Sequence, residues 1–270
     1  MRATQVGKVL FAASLAGLGV LSLESGDFAL NWQPVPAWVT WRAPLAYASG
    51  VMLLAGGAGM FYKRTARASA LLLTANMLVW LLLLRLPRVL ASPANESMWL
   101  GLGETMTLVV GGWILVTDLA RSGDAARANS MLGGGVRAAR FLFAAALIPI
   151  GLSHLVYLKA TTDFVPAWLP NRVVFTYLTG SAQIAAGVGL LLAIFPRLAV
   201  TLEAVMLGLF TTLVWGPRVI AAPTTRFPAT ALLISAAVTG AACVVAGSLD
   251  DVAWGHVGWR REQPAAGTAS

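Results

Sequence analysis

Eight runs of almost unbroken apolar residues, separated by short gaps that hold most of the arginines, decide what this chain can fold into. A bilayer is crossed by a helix of roughly 18 to 20 apolar residues. A membrane-spanning barrel would instead alternate apolar and polar residues along each strand, and these runs do not alternate. With 58% of its 270 residues hydrophobic and 11% charged, against about 25% charged in soluble domains, the chain carries more apolar surface than one water-soluble core can hide. The expected fold is therefore an all-α membrane protein of about eight transmembrane helices, at roughly 8–24, 43–61, 67–85, 98–118, 139–158, 173–195, 198–216 and 228–249.

The chain also matches itself when shifted by 130 residues. Val35-Pro36-Ala37-Trp38 falls on Val165-Pro166-Ala167-Trp168, Arg42 on Arg172, Tyr47 on Tyr177 and Gly50 on Gly180. Further along, Gly57 falls on Gly187, and Pro87-Arg88-Val89 on Pro217-Arg218-Val219. Scarce residue types carry the match, so the reading is a duplication of one four-helix unit. Four is an even number, so both copies enter the membrane from the same side and the repeats are parallel. The domain reading is a first repeat over 1–118, a linker over 119–138, a second repeat over 139–250 and a tail over 251–270 that loses order after a short Trp-bearing segment. Residues 1 to 23 resemble a signal peptide. They match a stretch in the middle of the chain, however, so they read as a retained helix.

The net charge of +8 reads as orientation rather than nucleic-acid binding, because the arginines sit between apolar runs. Twelve Lys and Arg fall on the side holding both termini and seven on the other. That bias expects both termini in the cytoplasm. A single cysteine, Cys243, rules out an intrachain disulfide and a Cys-x-x-Cys exchange centre, and two histidines, His154 and His256, make a multi-histidine metal or haem site untenable. No metal site is expected.

Several residues have both a structural and a functional reading. Pro36 with Trp38, and Pro166 with Trp168, follow the first span of each half; they fix the entry of the next helix at the headgroup level or form a lid over a ligand. Gly50 and Gly57, like Gly180 and Gly187, form a small-residue stripe for close helix packing. Gln183 lies on that stripe where the first half has Leu53, and an amide within a span needs a partner. Arg88 and Arg218 follow prolines expected to stop the third span of each half; they cap the negative end of a helix or hold an anionic or quinone-like headgroup. Glu24 and His154 occupy matching positions near helix ends, and Glu104 lies two turns into its span. Ionisable groups in a bilayer usually face a bundle interior or water. The candidate polar pocket is accordingly His154, Glu104, Gln183, Arg218 and Glu24, with Glu203 set aside as a snorkelling residue at its helix end.

The second half reads Gly151-Leu-Ser-His154, then Val165-Pro-Ala-Trp-Leu-Pro170, then Tyr177-Leu-Thr-Gly180, ending in Gly187-Val-Gly189. This pattern resembles the DoxX-like integral membrane proteins, small four-helix units. The first half matches less well, with Glu24 in place of the histidine and Thr40 in place of the second loop proline. The resemblance implies a bacterial inner-membrane protein, in some members a subunit of quinone-linked redox enzymes with a redox partner. Three functions stay open: a subunit supporting quinone-linked chemistry, with His154 or Glu104 handling protons and Arg218 or Gln183 holding a carbonyl; a small-solute or lipid transporter; and a non-catalytic scaffold for a partner protein.

Overall fold

A computed structural model describes residues 3–121 and 129–258, and every regular element in it is helical. The long elements are α1 (Ala3–Ser25), α2 (Arg42–Gly59), α3 (Ala66–Ala91), α4 (Glu96–Arg121), α5 (Asn129–Val156), α7 (Arg172–Leu191), α8 (Pro196–Ala221) and α9 (Arg226–Gly247); a short α6 (Leu158–Phe164) lies between α5 and α7. Seven of them are long and apolar enough to cross a membrane, consistent with an integral membrane protein. The exception is α2, whose 18 residues include Arg42, Pro44 and four glycines that dilute its hydropathy.

Two expectations need correction. The stretch 119–138 is not a linker throughout: α4 runs on to Arg121 and α5 begins at Asn129, which leaves only 122–128 between them, outside the described residues. The first residues of the tail are held in place. His256 offers its carbonyl to Phe195 N (2.9 Å), Gly258 N donates to the Ala193 carbonyl (2.9 Å), and Trp254 lies under Arg197, 4.3 Å from ring centroid to guanidinium carbon. These bonds hold a turn in which Ala193 and Phe195 take positive φ angles of 54° and 49°. The rest of the tail, 259–270, lies outside the described residues. Finally, Pro87 and Pro217 do not stop their helices. Each follows a six-residue π segment, Trp80–Arg85 and Phe210–Trp215, and occupies the first turn of the α-helical piece that resumes after it. A π turn resets the hydrogen-bond ladder, so a proline just beyond it removes no bond the helix needs.

The packing order is a pair of rings. One runs α1–α2–α3–α4–α9 and back to α1; the other runs α5–α7–α8–α9–α4 and back to α5. The two share α4 and α9, which touch each other and are the most enclosed helices, 67% of the membrane-length window of each being buried against 22% for α8. Each ring thus closes on the fourth long helix of the other half. Small residues set the crossings. A Cβ on Gly7 would lie 2.5 Å from the Gly240 carbonyl, one on Gly57 would lie 2.5 Å from the Ala12 carbonyl, and one on Gly187 would lie 2.7 Å from the Ala144 carbonyl. The stripes at Gly50/Gly57 and Gly180/Gly187 therefore line the α1–α2 and α5–α7 contacts. Outward-facing Leu83, Leu178 and Leu202 are 59% or more exposed, as side chains that meet lipid can be.

Helix ends gather on two faces. The terminal face carries Thr4 against Gly247, and Arg140, whose Nε donates to Ser248 Oγ at 3.0 Å. The distal face carries the loops after α1 and α5. There Asp27 pairs with Arg42 at 2.8 Å and with Arg226, from α9, at 3.7 Å, and Arg226 also donates to the Phe28 carbonyl. This arginine ties the last helix to the first loop.

Candidate functional site

The two rings differ inside. The first is filled: Leu53, Leu73 and Leu81 are buried, and Arg85, turned inward by its π segment and 8% exposed, donates to the carbonyls of Asn31 (2.9 Å) and Trp32 (3.1 Å). Its guanidinium occupies the space a side chain at Gly101 would need. The second ring encloses a cavity of about 470 Å³, within the range of small-molecule sites. Its walls come from α4, α5, α7, α8 and α9, and the segment 161–169 lies across its distal mouth. Aromatic rings dominate the mouth and upper wall: Trp32, Phe164, Trp168, Phe175, Phe210 and Trp215. Phe164 stacks obliquely on Trp215 with centroids 5.2 Å apart.

Polar groups enter this apolar volume at three places. Near the mouth, His154 Nδ1 lies 3.1 Å from Thr179 Oγ1, and the imidazole is 5.8 Å from the Phe210 ring. On the wall shared with the first ring, Glu104 lies in the field of the Arg85 guanidinium, and the Trp32 indole N–H faces its carboxyl without closing a well-formed hydrogen bond. On the α7 wall Gln183 lines the cavity, and it donates from Nε2 to Oε1 of Glu203, which is not itself among the lining residues, at 2.9 Å. Gln183 is 0% exposed and Glu203 1%. The remaining oxygens of both, Gln183 Oε1 and Glu203 Oε2, are buried with no hydrogen-bond partner among the described residues. Across α8 and α9, Thr211 Oγ1 lies 2.8 Å from Ser235 Oγ and 3.0 Å from Thr239 Oγ1.

The structure brings His154, Glu104 and Gln183 into one cavity. It does not bring Arg218 or Glu24 there. Glu24 is exposed at the end of α1. Arg218 clamps the lid from outside: it donates to the carbonyls of Asp163 (2.9 Å), Phe164 (3.3 Å) and Val214 (3.0 Å), and its guanidinium sits over the Phe164 ring. It therefore positions the segment. Trp38, 81% exposed, stands clear of the cavity, while Pro166 and Trp168 line it. Glu203 does not snorkel. It lies seven residues into α8, about 10 Å along the axis, and turns inward to Gln183. Its part is readable from the repeat: at an offset of 130, Gln183 and Glu203 stand where the first half has Leu53 and Leu73. Two positions that are leucine in the first half are Gln and Glu in the second. Thr179, Trp32 and Trp215 carry no comparable signal.

No Lys or Arg is among the described residues lining the cavity. Such a volume can hold a flat or flexible apolar body and grip one or two polar atoms on it, and it disfavours anions. In comparisons with known proteins, no family model, no curated protein and no solved structure matches the chain.

Proposed function

We propose that this chain is a DoxX-like integral membrane protein: an eight-span duplication with both termini on the cytoplasmic side of a bacterial inner membrane, holding a quinone-class molecule in the cavity of its second half and serving a redox partner. The observation that carries the reading is the aromatic-walled cavity of about 470 Å³, with His154, Glu104 and Gln183 reaching into it from three different helices. Aromatic walls suit a flat ring, and the His154 imidazole suits a ring oxygen. The matching space in the first ring is filled by leucines and Arg85, so one site per chain is proposed.

The chain has no second cysteine and no second histidine near His154, so electrons come from the partner and the ring carries them away. Binding of a short-tailed quinone to the purified chain in nanodiscs tests the reading, followed by quenching of the cavity tryptophans. Saturable quenching that disappears in Ser235→Phe, which fills the cavity, supports it. Linear, non-saturating quenching identical in both proteins overturns it. Quinol formation in membranes with and without His154→Ala then tests the role of the imidazole; unchanged rates remove it from the mechanism.

Transport of a small solute is the second reading. It draws on the carboxyl of Glu203, buried inside a membrane-length helix as functional carboxyls of transporters are. Proteoliposome flux that ignores Gln183→Leu refutes it.

A further inference from the structure

His154 reaches Thr179 because α5 and α7 come close beside it. A Cβ on Gly180 would lie 2.7 Å from the His154 Cβ, so glycine at that place lets α5 lay the imidazole onto α7. One ring nitrogen is then engaged and the other is free. Nδ1 lies 3.1 Å from Thr179 Oγ1. Nε2, at the far edge of the ring, has no hydrogen-bond partner among the described residues and is not enclosed as the orphaned oxygens of Gln183 and Glu203 are, while the residue itself lines the cavity. The bond at one nitrogen sets which of the two carries the proton, and here the hydroxyl decides it. Thr179 Oγ1 has one hydrogen and lies 2.9 Å from the Phe175 carbonyl and 3.2 Å from the Thr176 carbonyl. If that hydrogen goes to a carbonyl, the oxygen accepts Nδ1–H and two hydrogens find partners. If it goes to Nδ1, only one does. Nε2 is unpaired in either form, so the count favours the proton on Nδ1. The first half shows the same hydroxyl in the accepting role: Ser49, the counterpart of Thr179 at an offset of 130, receives the Gln33 Nε2–H at 2.9 Å.

We infer that Thr179 is a positioning residue that fixes the neutral His154 imidazole with its proton on Nδ1, so that Nε2 offers a lone pair to the cavity and receives a hydroxyl of the bound molecule rather than a carbonyl. The inference rests on the cavity reading above and narrows it: within the quinone class, the reduced, hydroxyl-bearing form is the one His154 grips. A phenolic O–H donates to the lone pair. A ketone or ether oxygen has no hydrogen to give and meets Nε2 as acceptor against acceptor.

The test uses the full chain in nanodiscs with isotope-labelled histidine rings, in a His256→Gln background that leaves one imidazole; the part of His256 in its turn is played by its carbonyl. In alkaline buffer, where an imidazole is neutral, the nitrogen NMR spectrum shows a protonated Nδ1 and an unprotonated Nε2. Thr179→Val, of nearly the same shape, moves the proton to Nε2, and Thr179→Ser, which keeps the oxygen, leaves it on Nδ1. Binding is then read by tryptophan fluorescence with two probes of nearly equal size, para-hexylphenol and para-hexylanisole. The phenol binds about five- to tenfold more tightly than the ether. That ratio falls below about twofold in Thr179→Val and persists in Thr179→Ser, which guards against a merely structural effect of the valine. A protonated Nε2 in the chain that retains Thr179 overturns the inference and leaves the cavity reading intact, as does a phenol-to-ether ratio that Thr179→Val does not move. Saturable binding of neither probe to the chain that retains Thr179 overturns both.

Discussion

Gly240 is where the closure of the first ring can be tested most directly. A Cβ there would stand 2.6 Å from Phe11 N and 2.8 Å from the Gly7 carbonyl, both backbone atoms and both well inside the 3.4 Å at which van der Waals contact becomes ordinary. Neither neighbour can swing aside as a side-chain tip would, so Gly240→Ala must drive α1 and α9 apart. Overpacking of this kind costs about 1–3 kcal/mol, and the higher end applies because Gly7 has no side chain to repack. Gly208→Ala is the control. Its added methyl meets only Thr239 Cγ2, at 3.7 Å, and alanine is the better helix former by up to about 1 kcal/mol, so this change is neutral or stabilising. Reversible unfolding in detergent or bicelles, with both variants measured side by side, reads the difference. If Gly240→Ala is as stable as Gly208→Ala, the α1–α9 crossing is not the tight contact described here and the ring closure falls with it.

Further expectations concern the polar groups. Glu203→Leu alone leaves the Gln183 amide buried without its carboxylate and destabilises by about 1–3 kcal/mol, whereas the Gln183→Leu/Glu203→Leu double variant recovers most of that loss; a double-mutant cycle with purely additive terms refutes the pairing. Arg218→Gln releases the carbonyls of Asp163 and Phe164, so amide exchange across 158–170 accelerates on hydrogen–deuterium exchange while α4 and α9 stay protected; uniform protection would show that the clamp holds nothing. Arg226→Ala cuts the tie between α9 and the loop after α1, and exchange over 26–33 rises with little change in the second ring. Because Asp27 is 38% exposed, its ion pairs contribute at most about 1 kcal/mol, so Asp27→Asn has a smaller effect than Arg226→Ala.

The membrane helices are legible in the sequence because a continuous apolar stretch of some twenty residues leaves a chain this poor in charge little choice but lipid. Their ends are less so. The run from Ala66 to Ala91 passes through Pro87 without any sequence mark of the π segment before it, and the proline alone argues for a stop. The small-residue stripes point to close packing and give no partner, since a glycine shows that something comes near and not which helix it is. Thus Gly57 reads as a contact, while the pairing of Gly7 with Gly240, more than two hundred residues away, does not. In the site, Gln183 announces itself as an amide in an apolar run. Glu203 misleads because its distance from the helix start suggests the interface, and only the direction in which its helix faces settles its depth. Arg85 counts among surface charges for the same reason until its π segment turns it inward.

The sharing of α4 and α9 also has a consequence for how the chain is made. Helix α1 leaves the ribosome early, but the helix that completes its ring emerges some two hundred residues later, on the order of ten seconds or more at ordinary translation rates. During that interval the Gly7 face meets lipid, not protein. Neither enclosure can be finished by the half that begins it, so assembly has to end with a late lateral docking step, and a break between α4 and α5 would yield two fragments that are each other's only complement.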